Sequence, residues 1–124
     1  MIQLDTGFLI HALTGGSAQD RYLRDWIGLG EPMGMSAIGW AEFPCGPVGP
    51  AEIALARRVL GEPVAFVSDD ATLTARLFND GGRRHGSLVD CMIAAVALRA
   101  DARLATAHPS DFRRYAGAGL RLMV

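Results

Sequence analysis

The sequence predicts an α/β fold, a mainly parallel β-sheet flanked by helices. Two observations carry that reading. Apolar runs of strand length alternate with helix-length stretches whose apolar positions recur every three or four residues. The segment 87–100 is apolar on nearly every side, so it calls for burial at the centre of a layered structure. With 124 residues, 50% hydrophobic and 20% charged, the chain suits one globular domain over 1–124 with a single well-filled core.

The elements follow in order. Residues 2–4 form the first strand and 6–13 a first helix, stopped at Gly15 and Gly16. Ser17 and Asp20 stand at capping-box spacing before a helix carrying Tyr22, Leu23, Trp26 and Ile27. Residues 33–36 make the second strand and 37–43 the next helix. Pro44 ends or kinks that helix, because proline lacks the amide donor and clashes with the preceding turn. Pro50 opens a further helix that Gly61 closes. Residues 64–67 read as a third strand, and Ser68 or Asp69 as the cap of a helix reaching about Asn79. Strands at 103–106 and 119–124 complete the sheet around a short helix begun by Pro109.

Composition narrows the function. A net charge of −1 does not suit a nucleic-acid coat protein, whose affinity depends on many phosphate contacts. The longest apolar run, residues 91–98, is too short to cross a bilayer, and no leader-like segment precedes the first strand. A cytoplasmic protein without membrane attachment is expected, with Cys45 and Cys91 as reduced core residues. All twelve basic residues are arginine. A phosphate-accepting receiver domain needs a lysine that this chain lacks. A haloacid-dehalogenase-like phosphatase needs a second aspartate where Gly7 stands.

Four carboxylates remain to be explained: Asp5, Glu42, Asp90 and Asp111, each at a junction between strand and helix patterns. Each has an ordinary alternative. Asp5 is placed to cap the first helix, Asp90 lies in a second capping-box pattern with Ser87, Glu42 could face solvent, and Asp111 could sit in the turn after Pro109. Jointly they point to a different role. Carboxylates gathered at one sheet edge repel one another unless a hard, oxygen-seeking cation such as Mg²⁺ or Mn²⁺ shares them. Metal-assisted phosphodiester hydrolysis is the chemistry to expect.

Leu4-Asp5-Thr6 ahead of an apolar helix, Ala41-Glu42-Phe43, the run from Leu88 through Asp90 to Ala95, and Leu104 through Asp111 to Phe112 resemble PIN-domain ribonucleases. The likeness spans essentially the whole chain and is greatest to the VapC-like toxins of type II toxin–antitoxin pairs. It implies a three-layer PIN-like fold and an Mg²⁺- or Mn²⁺-dependent endoribonuclease. Asp5, Glu42, Asp90 and Asp111 would be its metal-holding catalytic residues, with Thr6 and Thr106 supporting them. It implies an RNA substrate, a cognate VapB-like antitoxin and a homodimer. The antitoxin groove would be walled by the helix around 51–60 and by Phe8, Leu9 and Trp40.

Arg83, Arg84 and His85, and Arg113 with Arg114, are the candidate RNA contacts. His108 departs from the asparagine common in relatives, and Pro44 interrupts the helix just past Glu42. Two other readings share the fold: an inactive interaction module, and an RNA-processing nuclease with no toxin role.

Overall fold

The computed structural model describes residues 1–84 and 87–123. Four parallel strands form one sheet: β1 (Ile2–Leu4), β2 (Met33–Gly34), β3 (Arg103–Ala105) and β4 (Arg121–Leu122), in the order β2-β1-β3-β4. Ile2 pairs with both Met33 and Arg103, and Leu104 pairs with Leu122. Among the described residues six α-helices flank the sheet: α1 (Thr6–Ala12), α2 (Ala18–Gly28), α3 (Ala37–Glu42), α4 (Pro50–Leu60), α5 (Ser68–Asp80) and α6 (Leu88–Arg99).

Alternation along β1 sorts the core into two halves. Ile2 and Leu4 pack with Phe8, Leu9, Trp26 and Leu60 from α1, α2 and α4. On the other face Leu104 packs with Leu77 of α5 and with Cys91, Ile93 and Ala94 of α6. This three-layer arrangement gives α6 its all-round apolar surface, since the run Ile93 to Ala97 is buried throughout.

Several local expectations need correction. Residues 64–67 are not a strand; only Val64 bridges to Ser36, and the chain then leaves the sheet. Strand β2 is two residues long, so its outer edge offers no ladder for a longer neighbour. Neither Ser68 nor Asp69 caps α5. Val67 holds the N-cap position, and its amide donates to Asp70 Oδ2 at 2.9 Å. Asp70 is fixed there because its other oxygen accepts from Arg99 Nε at 2.8 Å. Ser87 holds the N-cap position of α6, but its side chain makes no capping bond: its hydroxyl donates to the Arg84 carbonyl at 2.7 Å. Cys91 is buried as expected, but Cys45 is exposed, and both are free thiols.

Proline acts where expected. The chain tightens into a 3-10 turn at Phe43–Cys45, and Pro50 begins α4. Gly61 ends α4 with φ of 70°, a conformation that glycine adopts at little cost. His85, one of the candidate RNA contacts, and Val124, the end of the expected last strand, lie outside the described residues. Among the described residues no helix is long and apolar enough to cross a membrane.

Candidate active site

The strand order reverses between β1 and β3: the chain goes from β1 to one neighbour, then returns to the other side. In open α/β sheets the crevice beyond the carboxyl ends at such a reversal is the usual place for a ligand. Asp5 follows β1 there, and Thr106 follows β3. The ladder persists one residue past β1, because the Asp5 amide donates to the Ala105 carbonyl at 3.0 Å. Gln3 pairs with Leu104, whose side chain lies against α6. Two residues on, Asp5 therefore faces the same side as the start of α6, where Asp90 lies.

A cavity of about 130 Å³ opens at this point, lined by Asp5, Thr6, Gly7, Glu42, Asp90, Ile93, His108, Asp111 and Phe112. All four carboxylates singled out from the sequence thus border one space. Asp5 is buried at its base, Asp90 is half-buried in its wall, and Glu42 and Asp111 are exposed at its rim.

Each carboxylate has local support. Asp5 caps α1 as well as facing the cavity: its Oδ1 accepts from the Phe8 amide at 2.7 Å. Glu42 ends α3, and its Oε1 accepts from the Thr6 hydroxyl at 2.8 Å. Asp111 closes the 3-10 turn Pro109–Asp111, so its place after Pro109 and its position on the cavity coincide. Asp90 stands in the first turn of α6, and among the described residues no hydrogen bond reaches its carboxylate. The Thr106 hydroxyl accepts from the His108 amide at 3.0 Å and lies beside Asp5.

Burial and mutual repulsion show in the acidities. Asp90 is pushed up from 3.8 to about 6, first by burial and then by the charges of Asp111 and Asp5, with Arg114 pulling the other way. Burial also raises Asp5, against the lowering influence of the Thr106 hydroxyl and the Phe8 amide. Both shifts report the cost of holding anions together away from water.

The donor set is all oxygen, which fits a hard divalent ion. The side chains are nonetheless spread: among the described residues no three His, Cys, Asp or Glu groups lie close enough to ligate one ion together. Asp5 and Glu42 are turned toward the Phe8 amide and the Thr6 hydroxyl, as expected of like charges that have found separate partners. Side-chain rotation about these anchors is needed to converge on a cation.

Sequence reading had not assigned Gly7, Ile93 and Phe112 to the site. Ile93 was accessible to it, since it lies three residues after Asp90 on the same helical face. His108 enters the lining next to Gly7, and its ring meets His11 edge-on with centroids 6.1 Å apart. Of the candidate RNA contacts, Arg114 donates to the Asp111 carbonyl at 3.2 Å, whereas Arg113 is exposed. Arg83 lies away from the cavity lining, bound to Asn79 Oδ1 at 3.1 Å, and Arg84 is exposed.

The family model for the PIN domain matches residues 2–118. The chain belongs to the PIN-domain family. PIN domains are nucleases, and their fold is the one described above. Among solved structures, VapBC2 from Rickettsia felis bound to a DNA fragment from their promoter is similar at 21% identity, with a TM-score of 0.76 and coverage of 98% of this chain and 97% of that one. FitAcB from Neisseria gonorrhoeae is similar at 20% identity, with a TM-score of 0.73 and coverage of 100% and 97%. A toxin-antitoxin complex from Klebsiella pneumoniae is similar at 23% identity, with a TM-score of 0.72 and coverage of 91% of each chain. No curated protein matches the chain.

Proposed function

We propose that this PIN-domain protein is a divalent-metal-dependent endoribonuclease that acts as the toxin of a toxin–antitoxin pair. The observation that carries the reading is the convergence of Asp5, Glu42, Asp90 and Asp111, from four separate segments, on one cavity at the sheet's switch point. Such a cluster raises the folded state's energy until a cation enters, and a polyanionic substrate could not approach it otherwise.

Asp5 and Asp90 would hold Mg²⁺ or Mn²⁺, with Glu42 and Asp111 completing the set directly or through water. A bound ion of this kind would supply an activated water and positive charge against the negative charge that builds on the phosphoryl oxygens. The chain's own groups do the positioning. The Thr6 hydroxyl anchors Oε1 of Glu42 and the Phe8 amide anchors Oδ1 of Asp5, with Thr106 beside it, so that each carboxylate would turn about that anchor toward the ion. Ile93 and Phe112 supply apolar wall that limits water. Arg114, tied to the Asp111 backbone, offers a guanidinium to a phosphate at the rim, and Arg113 is exposed beside it. The remaining basic pair, Arg83 and Arg84, would meet a more distant part of the RNA.

The partner is an antitoxin segment with an apolar face. A groove of about 290 Å³ between α1, α2 and α4 suits it, lined by Leu9, Leu13, Leu23, Ile27, Leu55 and Val59 among others. Leu9 and residues of α4 thus line the proposed groove, whereas Phe8 and Trp40 do not. Toxin-antitoxin complexes of similar fold support an antitoxin partner. The family resemblance supports a homodimer, a single catalytic domain and residence in the cytoplasm.

RNA cleavage by the purified protein with and without Mg²⁺, beside Asp5→Asn and Asp90→Asn, tests the proposal. Cleavage should require the ion and both carboxylates. Equal cleavage by all three proteins would sink it, and failure to bind Mg²⁺ or Mn²⁺ in a calorimetric titration would favour the interaction module instead.

A further inference from the structure

A second cavity, of about 460 Å³, is larger than the acidic one. It lies between α5 and the 3-10 turn Arg113–Ala118, lined by Leu73, Arg76, Leu77, Asp80, Arg114 and Tyr115 with neighbouring small residues. Its volume is in the range of small-ligand sites, about 300–1,000 Å³.

Three features bear on what it takes. Its floor is apolar and aromatic, from Leu73, Leu77 and Tyr115. Its rim carries two guanidinium groups, and among the described residues neither Arg76 nor Arg114 has a carboxylate partner. Asp80 adds one acceptor-only group, likewise without an ion-pair partner among those residues.

The two cavities are lined by neighbouring residues of the segment 111–115. Arg114 lines this cavity and donates to the carbonyl of Asp111, which lines the other. Tyr115 meets Phe112 of the acidic cavity edge-on at 6.1 Å, and its hydroxyl lies 3.1 Å from Sγ of Cys91, the residue after Asp90. Asp111 and Arg114 thus link the linings of the two spaces within one short turn of chain.

We propose that this second cavity is a nucleotide subsite. It would take one unit of single-stranded RNA beside the scissile phosphate, its base over Leu73, Leu77 and the Arg114–Tyr115 pair and its phosphate on Arg76. Arginine stacked on tyrosine, with CZ 5.2 Å from the ring centroid, presents a flat cationic surface to a base. Asp80 favours bases that offer amino or imino hydrogens to a carboxylate; guanine offers two side by side, whereas uracil offers no amino group. The subsite rests on the nuclease reading for its role but not for its occupancy, so binding is measured without catalysis.

The test is NMR titration of the whole chain in EDTA with GMP and separately with UMP. Amide shifts are expected around Leu73, Arg76, Leu77 and Tyr115, with GMP binding more tightly than UMP. Arg76→Glu should weaken GMP binding by about tenfold, as loss of a charge-assisted phosphate contact implies. Asp80→Asn should narrow the gap between the two nucleotides. Arg76→Gln serves as the second variant should Arg76→Glu lose its folded spectrum. Shifts confined to other regions, no shifts, or unchanged affinity in both Arg76 variants would overturn the subsite. So would shifts at these residues that follow protein concentration without nucleotide, because a second copy would then be the occupant. Nucleotide binding here by a protein that cleaves no RNA would support the subsite and count against the nuclease reading.

Discussion

Replacing Asp90 with asparagine should stabilise the metal-free protein. The Asp90 carboxyl ionises at about 6 in the folded chain against an ordinary 3.8. One pH unit of such displacement corresponds to about 1.4 kcal/mol, so a fully ionised Asp90 costs the folded state about 3 kcal/mol before solvent screening is counted. The group is only half-buried. Screening brings the expected gain from Asp90→Asn down to about 2 kcal/mol, or about 6–8 °C in Tm for a domain of this size.

The direction with pH follows from which state binds the proton. Below 3.8 both states are protonated and Asp90 exacts nothing. Between 3.8 and about 6 the unfolded chain ionises first, so the penalty on the folded state grows, and above that it is complete. The variant's advantage should therefore be small at about pH 4 and full at about pH 7.5. Thermal and urea unfolding in EDTA across that range is the assay. Saturating Mg²⁺ should reverse the order, because ligand that binds only the folded state stabilises wild type by about 2.7 kcal/mol at a hundredfold excess over Kd. Equal stability of the two proteins in EDTA at the higher pH, or an advantage largest in acid, would refute the account of Asp90 as a strained anion.

Asp5→Asn should fold normally yet lose RNA cleavage, since asparagine caps α1 as well as aspartate does but carries no charge; Asp5→Ala should in addition cost about 1 kcal/mol in urea unfolding. Gln3 is 1% exposed, and neither polar atom of its amide has a partner among the described residues. Gln3→Met should raise stability by about 1–2 kcal/mol, and a loss instead would reveal a buried water that satisfies the amide. Leu55→Glu, at an exposed position in the groove of α1, α2 and α4, should abolish capture by the antitoxin while leaving RNA cleavage and Tm unchanged. Retained capture in a pull-down would place the partner elsewhere.

The features legible in the sequence were those written in contiguous residues. Strand β1, the proline-started α4 and the buried α6 all follow from local pattern and agree with the structure. Asp5 and Asp111 share a cavity for a related reason, because parallel topology brings the ends of β1 and β3 to one edge; Glu42 and Asp90 follow no strand, and the ends of α3 and α6 bring them there. What escaped depended on partners distant in sequence. Residues 64–67 have strand-like composition, yet β propensity needs a neighbour to pair with, and β2 leaves room for a single bridge. The start of α5 is set by Asp70 rather than Ser68 or Asp69, since Arg99, twenty-nine residues on, holds that carboxylate in place. The capping-box pattern at Ser87 is overridden by the Arg84 carbonyl. That substitution bears on the site, because it removes the routine structural explanation for Asp90. Arg76 and Asp80 gave no signal at all; only the packing of α5 against the turn 113–118 gives them a common space.

Helix α1 is seven residues long, and its two ends serve different masters. In its first turn the Phe8 amide donates to Asp5, while Leu9 and Ala12 further along, with Leu13 just past its end, line the groove. Two turns of helix transmit displacement as a rigid peg. If the groove takes a peptide and the cavity a cation, as proposed, a peptide that tilted α1 would move Asp5, and by thermodynamic reciprocity the cation would alter how firmly the peptide is gripped.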